Sequence, residues 1–322
     1  MAAHLTALAT TLCGVTLRNP VFAASGTFGY GIEFETIVDL DSLGAIVTKG
    51  LSREPITGNP SPRLWHTEAG MINSVGLQNV GVRAFIREKL PKLRRYSVPV
   101  FANVFGYCEE DYLEVLRALE DSDGIAGYEL NVSCPNTKEG GIFFSSDSAL
   151  LGDLVERARA VAHRPLIVKL SPNVARIEPF AKAAESAGAD AISLVNTFVS
   201  LAIDVPAQEP AIGAGFGGLS GPAIKPLALR LVYESAQAVR IPVIGMGGIA
   251  NGADAVEFFM AGARAVQVGT ATFIDPRAPQ IVAKQLAEEL RRLRVSHIDE
   301  LVGTIRLPGA PCLEKSTAHI AK

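Results

Sequence analysis

Eight short apolar segments, each closing on glycine or a small residue at or just past its end and separated by stretches of helical periodicity, limit what this chain of 322 residues can become. They run from Val21 to Gly26, Ala45 to Gly50, Val98 to Val104, Tyr128 to Cys134, Leu166 to Leu170, Ala191 to Asn196, Ile241 to Gly245 and Ala265 to Gly269. In Tyr128 to Cys134, Leu130 and Val132 alternate with Asn131 and Ser133, but the others do not alternate strictly, which is the pattern of strands covered on both faces of a parallel sheet. Helical segments lie between them at Glu109 to Leu119, Leu150 to Ala162, Ile177 to Ala187, Ala223 to Val239 and Ala253 to Ala261, and Gly188 and Gly262 close two of these. Eight strands with helical crossovers predict an α/β fold, the (β/α)8 TIM barrel. An open doubly wound sheet would carry GxGxxG after its first strand, and that motif is missing. No Pro/Ser-rich linker or charge block divides the chain, so residues 1–322 are read as a single domain, with an aperiodic tail over 307–322 that is expected to be mobile.

Three further segments fit around the barrel. Thr10 to Phe22, two apolar runs about Gly14, predicts a small N-terminal β-hairpin placed to plug one end. Glu33 to Leu40 reads as an acidic helix. Leu51 to Val80 and Thr197 to Pro222 are longer than a barrel connection needs, and both follow strand C-termini, the face where barrel active sites lie.

Composition excludes several functions. A formal charge of −3 and a pI near 6.0, with Lys and Arg scattered, offer no surface for nucleic acid. Cys13, Cys108, Cys134 and Cys312 have neither CxxC nor His/Cys spacing, so no metal site or disulfide framework is expected. No apolar run approaches the roughly 18 residues of a membrane span, and a soluble, cytoplasmic protein acting on a small molecule is expected.

Polar residues recur at the strand ends: Ser25, Lys49, Asn103, Asn131 with Cys134, Lys169, Asn196 with Thr197, Gly247 with Gly248, and Gly269 with Thr270. One such residue is an ordinary turn residue; recurrence at almost every strand points to a site. Gly245-Met-Gly-Gly-Ile249 and Val268-Gly-Thr270 follow the seventh and eighth strands, where barrels bind phosphate through backbone N–H groups. Lys49 and Lys169 interrupt apolar strands, which is costly unless a polar ligand meets the ammonium; Schiff-base chemistry and charge stabilisation of a reduced flavin both satisfy that condition. Cys134 suits a nucleophile or a general base, with an unperturbed pKa of about 8.5. The five histidines lie away from the strand ends, which favours the base.

Asn131-Val-Ser-Cys-Pro-Asn136, Asn73-Ser-Val-Gly-Leu77 and Gly245-Met-Gly-Gly-Ile249 together resemble class 1 dihydroorotate dehydrogenases over about residues 10 to 305. The runs Lys138 to Phe144 and Gly217 to Pro226 are similar to the NAD-linked class 1B catalytic subunit more than to the fumarate-linked class 1A enzyme. The resemblance implies FMN held by Ser25, Lys49, Gly50, Asn103, Asn131, Lys169, Val195, Gly221, Gly247, Gly248, Gly269 and Thr270, with phosphate on the last four. It implies dihydroorotate bound by Lys49, Asn73, Ser74, Val75, Gly76, Leu77, Asn131, Asn136, Asn196 and Thr197 and oxidised to orotate. Cys134 would be the general base, and Lys169 would stabilise the reduced flavin. Class 2 enzymes use serine as base and carry a membrane-associating N-terminal extension, so Cys134 and the short N-terminus are expected to set this chain apart from them. Class 1B further implies a partner subunit carrying FAD and a [2Fe–2S] cluster that delivers electrons to NAD, around a homodimer core of a heterotetramer. The alternatives are a fumarate-using class 1A homodimer, a Schiff-base phosphosugar aldolase on Lys169, and a flavin-storing barrel without turnover.

Overall fold

The computed structural model describes residues 7–132, 141–306 and 308, with the backbone alone for 141–143. Eight parallel strands close into a barrel: β1 (Val21–Ala23), β2 (Ala45–Val47), β3 (Val100–Val104), β4 (Gly127–Asn131), β5 (Leu166–Lys169), β6 (Ala191–Leu194), β7 (Val243–Met246) and β8 (Ala265–Val268). They follow one another round the barrel in chain order, and β8 closes on β1 with Val266 opposite Val21. Every residue of these strands is buried, because one face meets the helices and the other meets strands across the barrel. That double burial explains the missing alternation.

Helices α1 (Glu109–Glu120), α2 (Ser148–Val161), α3 (Glu178–Ser186), α4 (Lys225–Ala238), α5 (Gly252–Met260) and α6 (Ala278–Leu293) form the outer ring. The first five match the expected segments closely. Helix α6 was not anticipated, although Val282, Leu286 and Leu290 form a buried stripe at i, i+4 and i+8. It packs beside α5, where Gly252 donates to Gln285 Oε1 at 2.9 Å and leaves no room for a side chain.

The expected acidic helix over Glu33 to Leu40 is absent, and in its place stand two single 3-10 turns, Ile32–Phe34 and Leu40–Ser42. The cause is local competition. Glu33 accepts from the Tyr30 N–H at 2.9 Å and pairs with Lys89 at 3.1 Å, while Gly31 enters the first turn at φ +92°. The predicted hairpin is present, with Thr10–Leu12 antiparallel to Val15–Leu17 about Cys13 and Gly14, both at positive φ as a primed two-residue turn requires. Leu12 and Leu17 pack with Phe22, Phe101, Ile167 and Ile244, and so close the N-terminal mouth of the barrel.

The two long connections also differ from expectation. Leu64–Thr67, Gly70–Asn73, Phe198–Ser200 and Gly217–Ser220 are strands that join as one four-stranded antiparallel sheet. Gly217–Ser220 pairs with Gly70–Asn73, so one loop is built on the other. Glycine is required at the contact, since a side chain on Gly70 would collide with the Ser220 carbonyl. Apart from residue 308, the tail expected over 307–322 lies outside the described residues.

Phe101 is fully buried in the lower layer and stacks on Phe22 with centroids 5.9 Å apart. Phe101→Ala should therefore cost about 3–5 kcal/mol, read as a lower midpoint in urea unfolding.

Candidate active site

Side chains two residues apart on a strand share a face, so the barrel interior can be read in layers from the N-terminal mouth upward. The lower layer is apolar, with Phe22, Phe101, Ile167 and Ile244 beside Ala191 and Ala265. Two residues further along their strands stand Asn103, Lys169, Ser193 and Gln267, and Glu129 lies opposite Asn103 on β4; Asn103, Glu129, Ser193 and Gln267 are fully buried. Glu129 is the hub of this second layer. Its Oε1 accepts from Asn103 Nδ2 at 2.8 Å, and its Oε2 accepts from Ser193 Oγ at 2.8 Å and Gln267 Nε2 at 2.6 Å. Lys49, Asn131 and Val195 follow at the C-terminal mouth, where Lys169 ends β5. In the register, Asn131 lies opposite Lys169, and Lys169 opposite Ser193. Glu129 was not among the expected site residues, yet Tyr128-Glu-Leu-Asn131 carries the signal: a carboxylate in step with Asn131 inside an apolar strand.

Three of these inward groups lack partners. Asn103 Oδ1 and Gln267 Oε1 are buried without a hydrogen bond. Lys169 is 6% exposed and finds no acceptor among the described residues. Buried polar groups are normally satisfied, so two buried amide oxygens without partners beside a lysine at the mouth suit a ligand with complementary polar edges.

The glycine turns converge at one side of the mouth. Gly221, Gly247 and Gly248 have φ of +97°, +123° and +80°. A Cβ on Gly248 would lie 2.8 Å from Lys225 Cβ and 2.9 Å from the Gly221 carbonyl, and one on Gly221 would reach Thr270 Cγ2 at 3.5 Å. Thr272 Oγ1 donates to the Gly269 carbonyl at 2.8 Å and the Thr27 carbonyl at 3.1 Å, which ties this turn to the loop that carries Ser25. The nearby cation is already engaged, since Lys225 Nζ meets Asp254 at 2.7 Å and Glu257 at 2.9 Å. Burial pulls the pKa of Lys225 down, but the two carboxylates outweigh it and hold the ammonium above its ordinary value. An anion here would rest on backbone N–H groups.

The Asn73 to Leu77 loop is braced from behind by residues that the sequence reading missed. Asn59 Nδ2 donates to Ser74 Oγ at 2.8 Å and Asn59 N to the Val75 carbonyl at 3.0 Å. Asn79 Nδ2 donates to the Leu77 carbonyl at 2.9 Å, and Arg63 binds Asn59 O, Gln78 Oε1 and Thr57 O together. Gly76 and Leu77 both adopt positive φ. Across the mouth, Asn196 Oδ1 accepts from the Thr197 N–H at 2.8 Å, and Asn173 holds the Thr197 carbonyl at 3.0 Å and the Val199 N–H at 3.0 Å. Asn59 and Asn173 sit in irregular loops, where an asparagine has no periodicity to mark it.

Thus the expected residues on described segments, Ser25, Lys49, Gly50, Asn73 to Leu77, Asn103, Asn131, Lys169, Val195, Asn196, Thr197, Gly221, Gly247, Gly248, Gly269 and Thr270, lie at or just past the C-terminal ends of barrel strands, or on the sheet above them and the loops that leave it. Cys134 and Asn136 lie outside the described residues. Cys13, given no role, donates to the Asp190 carbonyl at 3.3 Å; burial, then the Asp190 carboxylate, push its thiol up to about 12.

A lysine, several amides and glycine turns suit a phosphorylated, planar heterocycle with an imide edge. An FMN isoalloxazine presents both donor and acceptor atoms to such a set, and its phosphate would meet the glycine turns. The residues present fit it.

Comparison with known proteins agrees with this chemistry. The dihydroorotate dehydrogenase family model matches residues 7–290. A Solibacter usitatus protein whose name assigns it provisionally to dihydroorotate dehydrogenase A (fumarate) is 66% identical over 299 residues, covering 93% of this chain and 98% of the relative. The dihydroorotate dehydrogenase B (NAD(+)) catalytic subunit of Pelobacter propionicus is 51% identical over 294 residues, covering 91% and 97%. In fold, the chain is similar to the crystal structure of the Eimeria tenella dihydroorotate dehydrogenase bound to ferulenol, with a TM-score of 0.79 at 20% identity over 92% of this chain and 88% of that one.

Gly248→Ala should strain a positive φ and press on both Lys225 and the Gly221 carbonyl. A loss of more than about 1 kcal/mol of stability is expected, measured by thermal unfolding beside the milder Gly26→Ala, where a Cβ meets nothing within 4 Å.

Proposed function

The chain belongs to the dihydroorotate dehydrogenase family, and we propose that it is an NAD-linked catalytic subunit that binds FMN at the barrel mouth and oxidises (S)-dihydroorotate to orotate. The observation that carries this reading is Lys169, a lysine only 6% exposed, opposite Asn131 in the barrel and with no acceptor among the described residues. Bound FMN supplies the acceptor for the hydride that leaves substrate C6. Gly247, Gly248, Gly269 and Thr270 would offer backbone N–H groups to its phosphate, while Ser25, Lys49, Gly50, Val195 and Gly221 would complete the cofactor set. Lys169 places a positive charge where negative charge grows.

Lys49, Asn131, Asn136, Asn196, Thr197 and the Asn73 to Leu77 loop orient the imide and carboxylate edges of the substrate. The bracing by Asn59, Arg63 and Asn79 keeps that loop from wandering, which preserves near-attack geometry. Cys134 takes the C5 proton, α to a carbonyl, and the electron pair left behind forms the C5=C6 double bond as the hydride departs. A Schiff-base aldolase on Lys169 has no support from the family, which oxidises rather than cleaves its substrate.

Relatives named as the catalytic subunit of the NAD(+) enzyme support delivery of electrons to NAD through a separate subunit; in this reading that subunit carries FAD and [2Fe–2S] and joins a homodimeric core. Among the described residues no group of His, Cys, Asp and Glu could hold a metal ion. No helix among them is long and apolar enough to cross a membrane, and we place the enzyme in the cytoplasm. The 66% identical relative named for fumarate favours a second reading, in which fumarate drains the flavin without a partner.

The purified chain should be yellow, and dihydroorotate should bleach it anaerobically; a colourless chain with no affinity for FMN would refute the reading. Cys134→Ala should retain FMN and slow flavin reduction by roughly 10²–10⁴-fold, measured by stopped flow. Steady turnover with fumarate by the chain alone would decide for the second acceptor, whereas turnover with NAD only after the partner is added would decide for the first.

A further inference from the structure

Glu129 is a buried carboxylate to which the mechanism above gives no task. Three groups converge on it: the amide nitrogens of Asn103 and Gln267 and the Ser193 hydroxyl. Each of these groups donates to a Glu129 oxygen. The amides are thereby oriented. With their NH2 groups committed to Glu129, their oxygens point elsewhere, and both oxygens are the buried atoms that lack a partner. The Asn103 oxygen can be placed, because a Cβ built on Gly50 would lie 3.0 Å from it, just past the C-terminal end of β2. The turned-out oxygen therefore faces the mouth side of the layer, beside Gly50.

We propose that Glu129 is a positioning residue that locks the Asn103 amide with its oxygen toward the cofactor, so that the floor of the site presents an acceptor and selects a ligand edge that donates an N–H. The inference rests on the flavin reading above, since an isoalloxazine imide is such an edge. Reversing either amide would set oxygen against carboxylate and present an NH2 group to the ligand, so the carboxylate decides between two shapes that differ in nothing but polarity. A second consequence follows from charge. A negative charge on Glu129 would oppose electron uptake by a flavin bound at the mouth, and Lys169 would favour it; the pair would set the flavin potential between them.

Glu129→Gln keeps the shape but adds a donor, so one of its three partners must turn or lose its bond. FMN affinity, measured on the apoprotein by quenching of flavin fluorescence, should fall on the order of 10-fold, and the flavin midpoint potential should move in the positive direction. In an Asn103→Ala background the same substitution should change FMN affinity by less than about 3-fold, because the group through which it acts is gone. An unchanged affinity and potential in Glu129→Gln, or full additivity with Asn103→Ala, would overturn the proposal. If Glu129→Gln does not fold, the wild-type protein still tests it. The Asn103 side-chain NH2 resonances, assigned by their loss in Asn103→Ala, should hold their shifts and exchange protection when FMN is added, and a large shift would mean that the NH2 group meets the ligand. Wild-type protein that binds no FMN at all would instead refute the flavin reading.

Discussion

The step from apolar to polar inside the barrel, from Phe101 to Asn103 and from Ile167 to Lys169, is the constraint on which the rest of the molecule depends. Strand geometry puts residues i and i+2 on one face, so a single strand can seal the barrel with one side chain and offer chemistry with the next. The lower layer, closed by Leu12 and Leu17 of the hairpin, keeps water from below. The upper layer then has one direction in which to meet solvent or ligand. Glu129 stands at this boundary and satisfies itself with donors from β3, β6 and β8. A buried carboxylate would otherwise be expensive, and here it holds three strands in a common polar register.

Above that layer the site is a cooperation between two distant loops. Gly217–Ser220 lies between Phe198–Ser200 and Gly70–Asn73, so the strands on either side of it bring Asn73 and Thr197 to the same mouth. Asn59, Arg63, Asn79 and Asn173 then hold those segments by their backbones. Residues of this kind touch no substrate in the proposed reaction. They act by preventing motion, which is why their side chains meet loop carbonyls and N–H groups rather than the open mouth.

Much of this was legible in the residues themselves. The eight strands, five of the helices and the hairpin follow from apolar runs, glycine stops and the two-residue turn, all of which are local signals. Lys49, Asn103, Asn131 and Lys169 stood out because polar side chains interrupt apolar strands. The acidic stretch near Glu33 misled because its charges resemble a helix face, whereas Glu33 instead caps the Tyr30 N–H and pairs with Lys89.

The sequence alone determined the fold class, the barrel's strand count, the end of the barrel that carries chemistry, and the chemical types gathered there, since each depends on spacing within a few residues. Only the tertiary structure decided that the two long connections are one sheet, that Glu129 binds partners 26, 64 and 138 residues away, and that the Asn103 and Gln267 oxygens are the atoms left to bind. The physical reason is that a hydrogen bond depends on proximity in space, and periodicity along the chain carries no information about which distant donor will arrive.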